Sequence, residues 1–195
     1  YVQSLSYYGT ITPLSVARRY LAATTIGNYA LFAGGYGSGY SNVVDAYNTS
    51  LTRTTPTALS VARYYLAATT VGNYALFGGG SSNRVDAYNT SLTRTTPTAL
   101  SVARYYLAAT TIGNYALFGG GNPTSDVVDA YDTSLTRTTP TALSVARHSL
   151  AATSVGNYAL FGGGKPSSGY SNIVDAYNTS LTRTTPTALS VARYN

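Results

Sequence analysis

Few side chains of this 195-residue sequence can take part in acid–base or metal chemistry. The chain has one histidine, His148, one lysine, Lys165, six acidic residues that are all aspartate, and no cysteine. General acid–base catalysis requires His, Glu, Asp or Lys in environments that perturb the pKa. The lack of cysteine also excludes disulfides and thiolate metal sites. We therefore expect a protein without catalytic activity, metal ion or cofactor.

Four of the six aspartates recur at one position, and most arginines recur at two others. The aspartates are Asp45, Asp86, Asp129 and Asp175; the arginines stand in the motif LSVAR (Arg18, Arg63, Arg104, Arg147, Arg193) and in the motif SLTR (Arg53, Arg94, Arg137, Arg183). Because a buried charge must be paired, this fixed spacing predicts structural Asp–Arg pairs. A ring of carboxylates that binds a cation is the alternative. The net charge of +6 follows the repeats instead of clustering, so we expect no nucleic-acid partner.

The elements that position these residues come from an internal repeat. LSVAR begins at Leu14, Leu59, Leu100, Leu143 and Leu189, and it returns every 41 to 46 residues. A period of about 40 to 50 residues is typical of stacked or radially arranged supersecondary units. We divide the single repeat domain 1–195 into four units, 14–58, 59–99, 100–142 and 143–188. Residues 1–13 read as a partial preceding unit, and residues 189–195 as the start of a further one.

Each unit predicts four short antiparallel strands. In the first unit, LAATTI and NYALF meet at Gly27 and Asn28, a pair that favours a tight hairpin. VDAY alternates with a period of two, and SLTRTT is rich in β-branched Thr. No segment has the apolar spacing of a helix. The pattern predicts an all-β fold, a β-propeller of four four-stranded antiparallel blades with partial strands at both ends.

The order of these residues resembles kelch repeats in all four units. In the second unit the resemblance rests on Arg63, on Leu76-Phe77-Gly78-Gly79 and on Val85-Asp86-Ala87-Tyr88. The fourth strand departs from the family, since Leu-Thr-Arg stands where kelch repeats usually carry Trp. Some kelch-like propellers are copper oxidases, but this chain lacks the cysteine and the histidines of such a site. The blades could close as a ring of four or form part of a larger ring.

Otherwise identical units differ in two places. One is the pair of residues directly after LSVAR, and the other is the stretch after the run of glycines that ends the second strand. In a four-stranded blade both connections lie on the same face, so they predict one surface. Tyr, Ser, Gly and Asn dominate there, as they do in adaptable binding surfaces; drift in tolerant loops is the alternative reading. The candidate ligand-binding residues are Arg19, Tyr20, Tyr36, Tyr40, Tyr64, Tyr65, Arg84, Tyr105, Tyr106, Asn122, Asp126, His148, Lys165 and Tyr170.

These patterns predict a recognition module that presents this surface to a glycan or protein ligand. The alternative is a structural repeat of a filament, surface layer or oligomer that assembles through its terminal strands. No apolar run approaches the length of a membrane span, and low charge with abundant Gly, Ser, Thr and Tyr favours an extracellular, cell-surface or particle-surface location. Asn48, Asn89 and Asn178 stand in glycosylation sequons, but Asp132 at the fourth equivalent position favours a role in turns.

Overall fold

A computed structural model describes residues 9–194, which form sixteen strands in four antiparallel sheets of four. We call the sheets blades 1 to 4. Blade 1 has β1 (Ala22–Ile26), β2 (Tyr29–Ala33), β3 (Val44–Asn48) and β4 (Arg53–Thr54); blade 2 has β5 (Leu66–Val71), β6 (Tyr74–Gly79), β7 (Val85–Asn89) and β8 (Arg94–Thr95). Blade 3 has β9 (Ala108–Ile112), β10 (Tyr115–Gly119), β11 (Val128–Tyr131) and β12 (Arg137–Thr138); blade 4 has β13 (Ala151–Val155), β14 (Tyr158–Gly162), β15 (Val174–Asn178) and β16 (Arg183–Thr184).

Strand order within each blade follows the sequence, and the first strands of successive blades pack side by side. This arrangement is a β-propeller arc, and the all-β fold class predicted from the repeat is confirmed. The described residues contain no helix, and hence none long and apolar enough to cross a membrane. Residues 9–21 and 185–194 contain no strand, where partial strands were expected at the ends. The rest of those end units, residues 1–8 and 195, lies outside the described residues.

The connections within a blade use the turn chemistry of the sequence. Ile26 pairs with Tyr29 across a two-residue loop, as the Gly-Asn pair predicts. Between β3 and β4 the side chain of Asn48 accepts hydrogen bonds from the amides of Ser50 (3.0 Å) and Thr52 (2.9 Å). Asp132 accepts the same two bonds in blade 3, so the first residue of each sequon serves a turn.

Consecutive blades pack through one interface that occurs three times, which we call a joint. Each blade has a forward face toward the next blade in the chain and a back face toward the preceding one. In the second joint the forward face of blade 2 contributes Leu76 and Val85, and the back face of blade 3 contributes Phe118 and Tyr131, all buried. The ring of Phe118 lies against Gly78, where an added Cβ would approach within 2.8 Å. The joint is therefore close-packed, with an aromatic ring resting directly on the backbone of a glycine.

Each recurrent aspartate is buried between two arginines. The carboxylate of Asp86 lies 2.6 Å from the guanidinium of Arg63 and 3.2 Å from that of Arg94. The amide of Ser60 donates a further hydrogen bond at 3.0 Å. Arg63 precedes blade 2 in the LSVAR motif and also donates to the carbonyl of Phe77. The predicted Asp–Arg pairs are confirmed, and they fasten each LSVAR segment to the blade that follows it.

Candidate functional site

The site is built on the second residue after each of the first four LSVAR motifs, which has a left-handed backbone. The angle φ is 60° at Tyr20 and 53° at Tyr65, Tyr106 and Ser149. Few residues other than Gly adopt this region without surrounding structure that imposes it. Here a chain of backbone hydrogen bonds imposes it, because each of these amides in blades 2 to 4 donates to the carbonyl of its equivalent in the preceding blade, at 2.9 to 3.1 Å. The inner rim of the propeller is thus tied together.

This rim brings tyrosines from three blades into contact. The ring centroids of Tyr20 and Tyr65 lie 4.1 Å apart, and those of Tyr65 and Tyr106 lie 3.9 Å apart. Tyr64 stacks on Tyr40 of the loop between β2 and β3, with centroids 4.7 Å apart and an interplanar angle of 29°. The two variable regions of the sequence therefore meet on one side of the propeller, as predicted.

Eight predicted residues line one concavity of about 560 Å³. We call this surface the tyrosine face: Arg19, Tyr20, Tyr36, Tyr40, Tyr64, Tyr65, Tyr105 and Tyr106. Its volume lies within the usual range for small-ligand sites, which is about 300 to 1,000 Å³. The described residues that line it include no carboxylate, so its polar chemistry consists of phenol hydroxyls and one guanidinium.

Two hydroxyls of the tyrosine face have a raised pKa, and both stay protonated at neutral pH. A hydrogen bond with Tyr40 raises the pKa of Tyr64, and burial together with hydrogen bonds to Tyr106 and Tyr20 raises the pKa of Tyr65. The guanidinium of Arg19 lies 5.1 Å from the ring centroid of Tyr20 and 5.6 Å from that of Tyr36. These hydroxyls can donate and accept hydrogen bonds beside apolar ring faces, and Arg19 is held against the rings by cation–π contacts.

Backbone bridges connect the two variable regions within a blade. Arg19 pairs with Tyr36 in blade 1, and Tyr105 pairs with Asn122 in blade 3. In blade 4, His148 pairs with Lys165. Burial and the nearby ammonium of Lys165 lower the pKa of His148, so its imidazole is neutral at pH 7.

Six predicted site residues lie outside the tyrosine face. Asn122, His148 and Lys165 form the backbone bridges just described, and the other three are Arg84, Asp126 and Tyr170. The carbonyl of Arg84 accepts hydrogen bonds from the amide of Gly79 and from the guanidinium of Arg63, and its own side chain is exposed. The carbonyl of Asp126 accepts from the amide of Leu143, and its side chain is exposed too. Tyr170 stacks on Tyr194 at the far end of blade 4. Arg84 and Asp126 therefore serve the framework through their backbones.

The sequence reasoning missed the floor beneath the tyrosines. A second, smaller concavity of about 160 Å³ lies between the inner edges of the blades. It is lined by the residue at each left-handed position and the leucine that follows it: Tyr20, Leu21, Tyr65, Leu66, Tyr106, Leu107, Ser149 and Leu150. The signal was present, since a leucine follows the variable pair in every unit.

The alternative of a carboxylate ring finds no support in the described residues. Each recurrent aspartate is engaged by two arginines of its own blade region. Among residues 9–194 no group of three His, Asp or Glu side chains converges in a way that could hold a metal ion.

Comparisons with known proteins support the fold. No family model matches the chain, and no curated protein matches it in sequence. The solved structure of YjhT matches over 91% of this chain and 72% of that chain, with a TM-score of 0.73 and 12% sequence identity. At this identity the likeness concerns the fold alone, and that fold is a propeller-like arrangement of repeated four-stranded blades.

Proposed function

We propose that this chain is a non-catalytic recognition module and that the tyrosine face binds its ligand, a glycan or a protein. The observation that carries the proposal is the convergence of seven tyrosines and Arg19 on one concavity. These residues come from the places where near-identical units differ, so the framework does not require them. The fold itself fits a binding module, and kinship with kelch repeats stays a prediction.

The shape of the tyrosine face favours a glycan over a protein. A concavity of about 560 Å³ can accept a few sugar rings. Tyrosine rings offer flat apolar surfaces, and their hydroxyls offer hydrogen bonds to sugar hydroxyls. Tyrosine also loses little conformational entropy when it becomes ordered in a complex. An extracellular or surface location would agree with such a ligand and is part of the same proposal.

The test is binding of the full chain to a panel of glycans and of cell-surface glycoproteins, with Tyr65→Ser and Tyr106→Ser as variants. The substitution is well matched to the site, because Ser149 has the same left-handed backbone and the same hydrogen bond in blade 4. Loss of a central aromatic contact is expected to weaken binding about tenfold or more.

Tyr158→Ser is the control. Tyr158 is 49% exposed and lies at the β13–β14 hairpin, which is the opposite end of the blade from the glycine run. This variant should bind the glycan or glycoprotein as tightly as the parent does. If the parent binds nothing in either panel, or if Tyr65→Ser and Tyr106→Ser bind like the parent, the recognition proposal is wrong. Binding to glycoproteins after removal of their glycans would identify a protein ligand.

A structural repeat protein is the second candidate. The observation in its favour is the exposed apolar surface at the ends of the blade arc, which the tyrosine face does not use.

A further inference from the structure

The forward face of blade 4 exposes residues that are buried at every internal joint. Val155 is 62% exposed, whereas its equivalents Ile26, Val71 and Ile112 are 3%, 1% and 3% exposed. A groove of about 370 Å³ runs along this face, and its lining includes Leu160, Val174 and Leu189.

This groove contains the half of a joint that receives the phenylalanine ring of the next blade. An added Cβ at Gly78 or Gly119 would lie 2.8 or 2.7 Å from the phenylalanine ring of the next blade. At Gly162, the equivalent in blade 4, an added Cβ would meet only Val174 at 3.7 Å and Leu189 at 3.8 Å. Among the described residues, no aromatic ring packs on Gly162. The groove therefore has the shape into which a phenylalanine of this repeat fits.

The back face of blade 1 carries the matching half. Phe77, Phe118 and Phe161 are fully buried at the three internal joints, whereas their equivalent, Phe32, is only half-buried. Ala30 is likewise half-buried, although its equivalents in blades 2 to 4 are 0% exposed. The two ends of the arc are thus the two complementary halves of one interface.

We propose that blade 4 of one copy of this chain binds blade 1 of a second copy and forms a fourth joint. Continuity with the established interface carries the inference, since the same residue types already pack together three times within the chain. Phe32 of one copy would rest on Gly162 of the other. The interface is head-to-tail and uses apolar faces of the sheets, not the edges of terminal strands. It does not depend on the ligand of the tyrosine face.

At the fourth joint, two LSVAR segments compete for one place. An internal joint holds one LSVAR segment, whereas two copies bring two, residues 189–193 and residues 14–18. Residues 189–193 rest on blade 4 through backbone hydrogen bonds, including one from the amide of Gly164 at 2.8 Å. Residues 14–18 are held more firmly, because the guanidinium of Arg18 is fully buried 2.8 Å from Asp45. Residues 189–193 therefore give way, and their backbone partners are taken over by residues 14–18 of the second copy.

A head-to-tail interface closes into a ring when the rotation per copy permits it and otherwise grows into a filament. Either outcome is an assembly that increases with protein concentration. Sedimentation velocity and light scattering of the full chain, without any ligand, measure it directly. We expect species larger than one chain, and a chain that stays monomeric at high concentration overturns the proposal.

Two substitutions block one end each. Val155→Arg places a charge on the forward face of blade 4, and Ala30→Arg places one on the back face of blade 1. Val61→Arg is the matched control, because Val61 remains 42% exposed although it lies at an internal joint. We expect each end variant to be monomeric where the parent and Val61→Arg assemble. Circular dichroism and thermal unfolding verify that all three variants are folded.

Mixing the two end variants gives the decisive result. Val155→Arg retains an intact blade 1, and Ala30→Arg retains an intact blade 4, so one joint can form between them. The mixture should contain a species with the mass of one copy of each variant, although each alone is monomeric. Assembly that both substitutions leave unchanged, or a mixture that stays monomeric, overturns the head-to-tail joint.

Discussion

Replacing one glycine at a joint by alanine should destabilise the fold, whereas the same change at the end of the arc should not. In Gly119→Ala the new Cβ would lie 2.7 Å from Cε1 and 3.0 Å from Cδ1 of Phe161. Phe161 is fully buried and cannot rotate away without displacing its neighbours. In Gly162→Ala the nearest atom lies 3.7 Å away, which is ordinary van der Waals contact. Neither glycine has a positive φ, so the backbone accepts alanine at both positions.

The magnitudes follow from two opposing effects. Alanine in place of a strand glycine favours the folded state by about 0.5 to 1 kcal/mol, since it restricts the unfolded chain. Extra volume in a packed core costs about 1 to 3 kcal/mol. Ala33 occupies the equivalent position in the first joint, against the buried Phe77, so a joint can shift to accept a methyl group. We therefore expect Gly119→Ala to lose about 1 kcal/mol and Gly162→Ala to gain about 0.5 kcal/mol.

Urea unfolding followed by circular dichroism measures both changes. Dilute protein keeps the chains apart, so that the forward face of blade 4 stays uncovered during the measurement. The expected result is a lower midpoint for Gly119→Ala and an equal or higher midpoint for Gly162→Ala, with similar slopes. Shifts of the same sign and size in the two variants would refute the reasoning, because they would mean that the ring packed on the glycine has no part in the effect.

Three further changes test the framework. Asp129→Asn removes the charge opposite the buried Arg104, and unfolding should show a loss of about 3 to 5 kcal/mol. Tyr88→Phe removes a hydrogen bond of 2.7 Å from a buried hydroxyl and should cost about 1 kcal/mol in the same assay. Burial alone would raise the pKa of Asp45, but hydrogen bonds from Ser15 and Arg18 outweigh it and hold the pKa below its ordinary value. Stability from Asp45 is therefore fully present above the unfolded pKa, near 3.9, and is lost as the pH falls further through the folded pKa, as an acid titration of the unfolding free energy would show.

Each of these tests has an outcome that contradicts it. An Asp129→Asn variant as stable as the parent would mean that Arg104 reaches solvent. A Tyr88→Phe variant with unchanged stability would mean that the hydroxyl bond contributes nothing net. If the free energy of unfolding did not decrease as the pH is lowered below about 4, the carboxylates would not be paired as the structure has them.

Much of the fold could be predicted because each local sequence signal occurs in several units of the repeat. Gly27 and Asn28 specify a hairpin by local turn chemistry alone, and the structure has that hairpin. The pairing of Asp86 with Arg63 followed from the cost of a buried charge. The tyrosine face followed from comparing units, since a position that varies within a constant framework accepts several types of side chain. These inferences used only local chemistry or internal comparison.

The remaining features depend on neighbours that a single unit does not reveal. Val71 and Val155 have the same residue type and the same place in the repeat, yet one is buried in a joint and the other is exposed at an end. The backbone of Tyr65 is left-handed because a hydrogen bond to the preceding blade holds it, which no local propensity predicts. The short loop of blade 2 places Arg84 directly before β7, so a residue that looked like a loop cation serves the framework.

Because the three joints are built alike, the blades can be exchanged for one another. Any unit presents a forward face that fits the back face of any other, so exchanging two units would leave the packing intact. Each loop belongs to its unit, so a new order of blades would place Tyr40, Asn122 or Lys165 beside different neighbours. Recombination between near-identical repeats could therefore change the composition of the tyrosine face in a single step and still give a chain whose blades pack together.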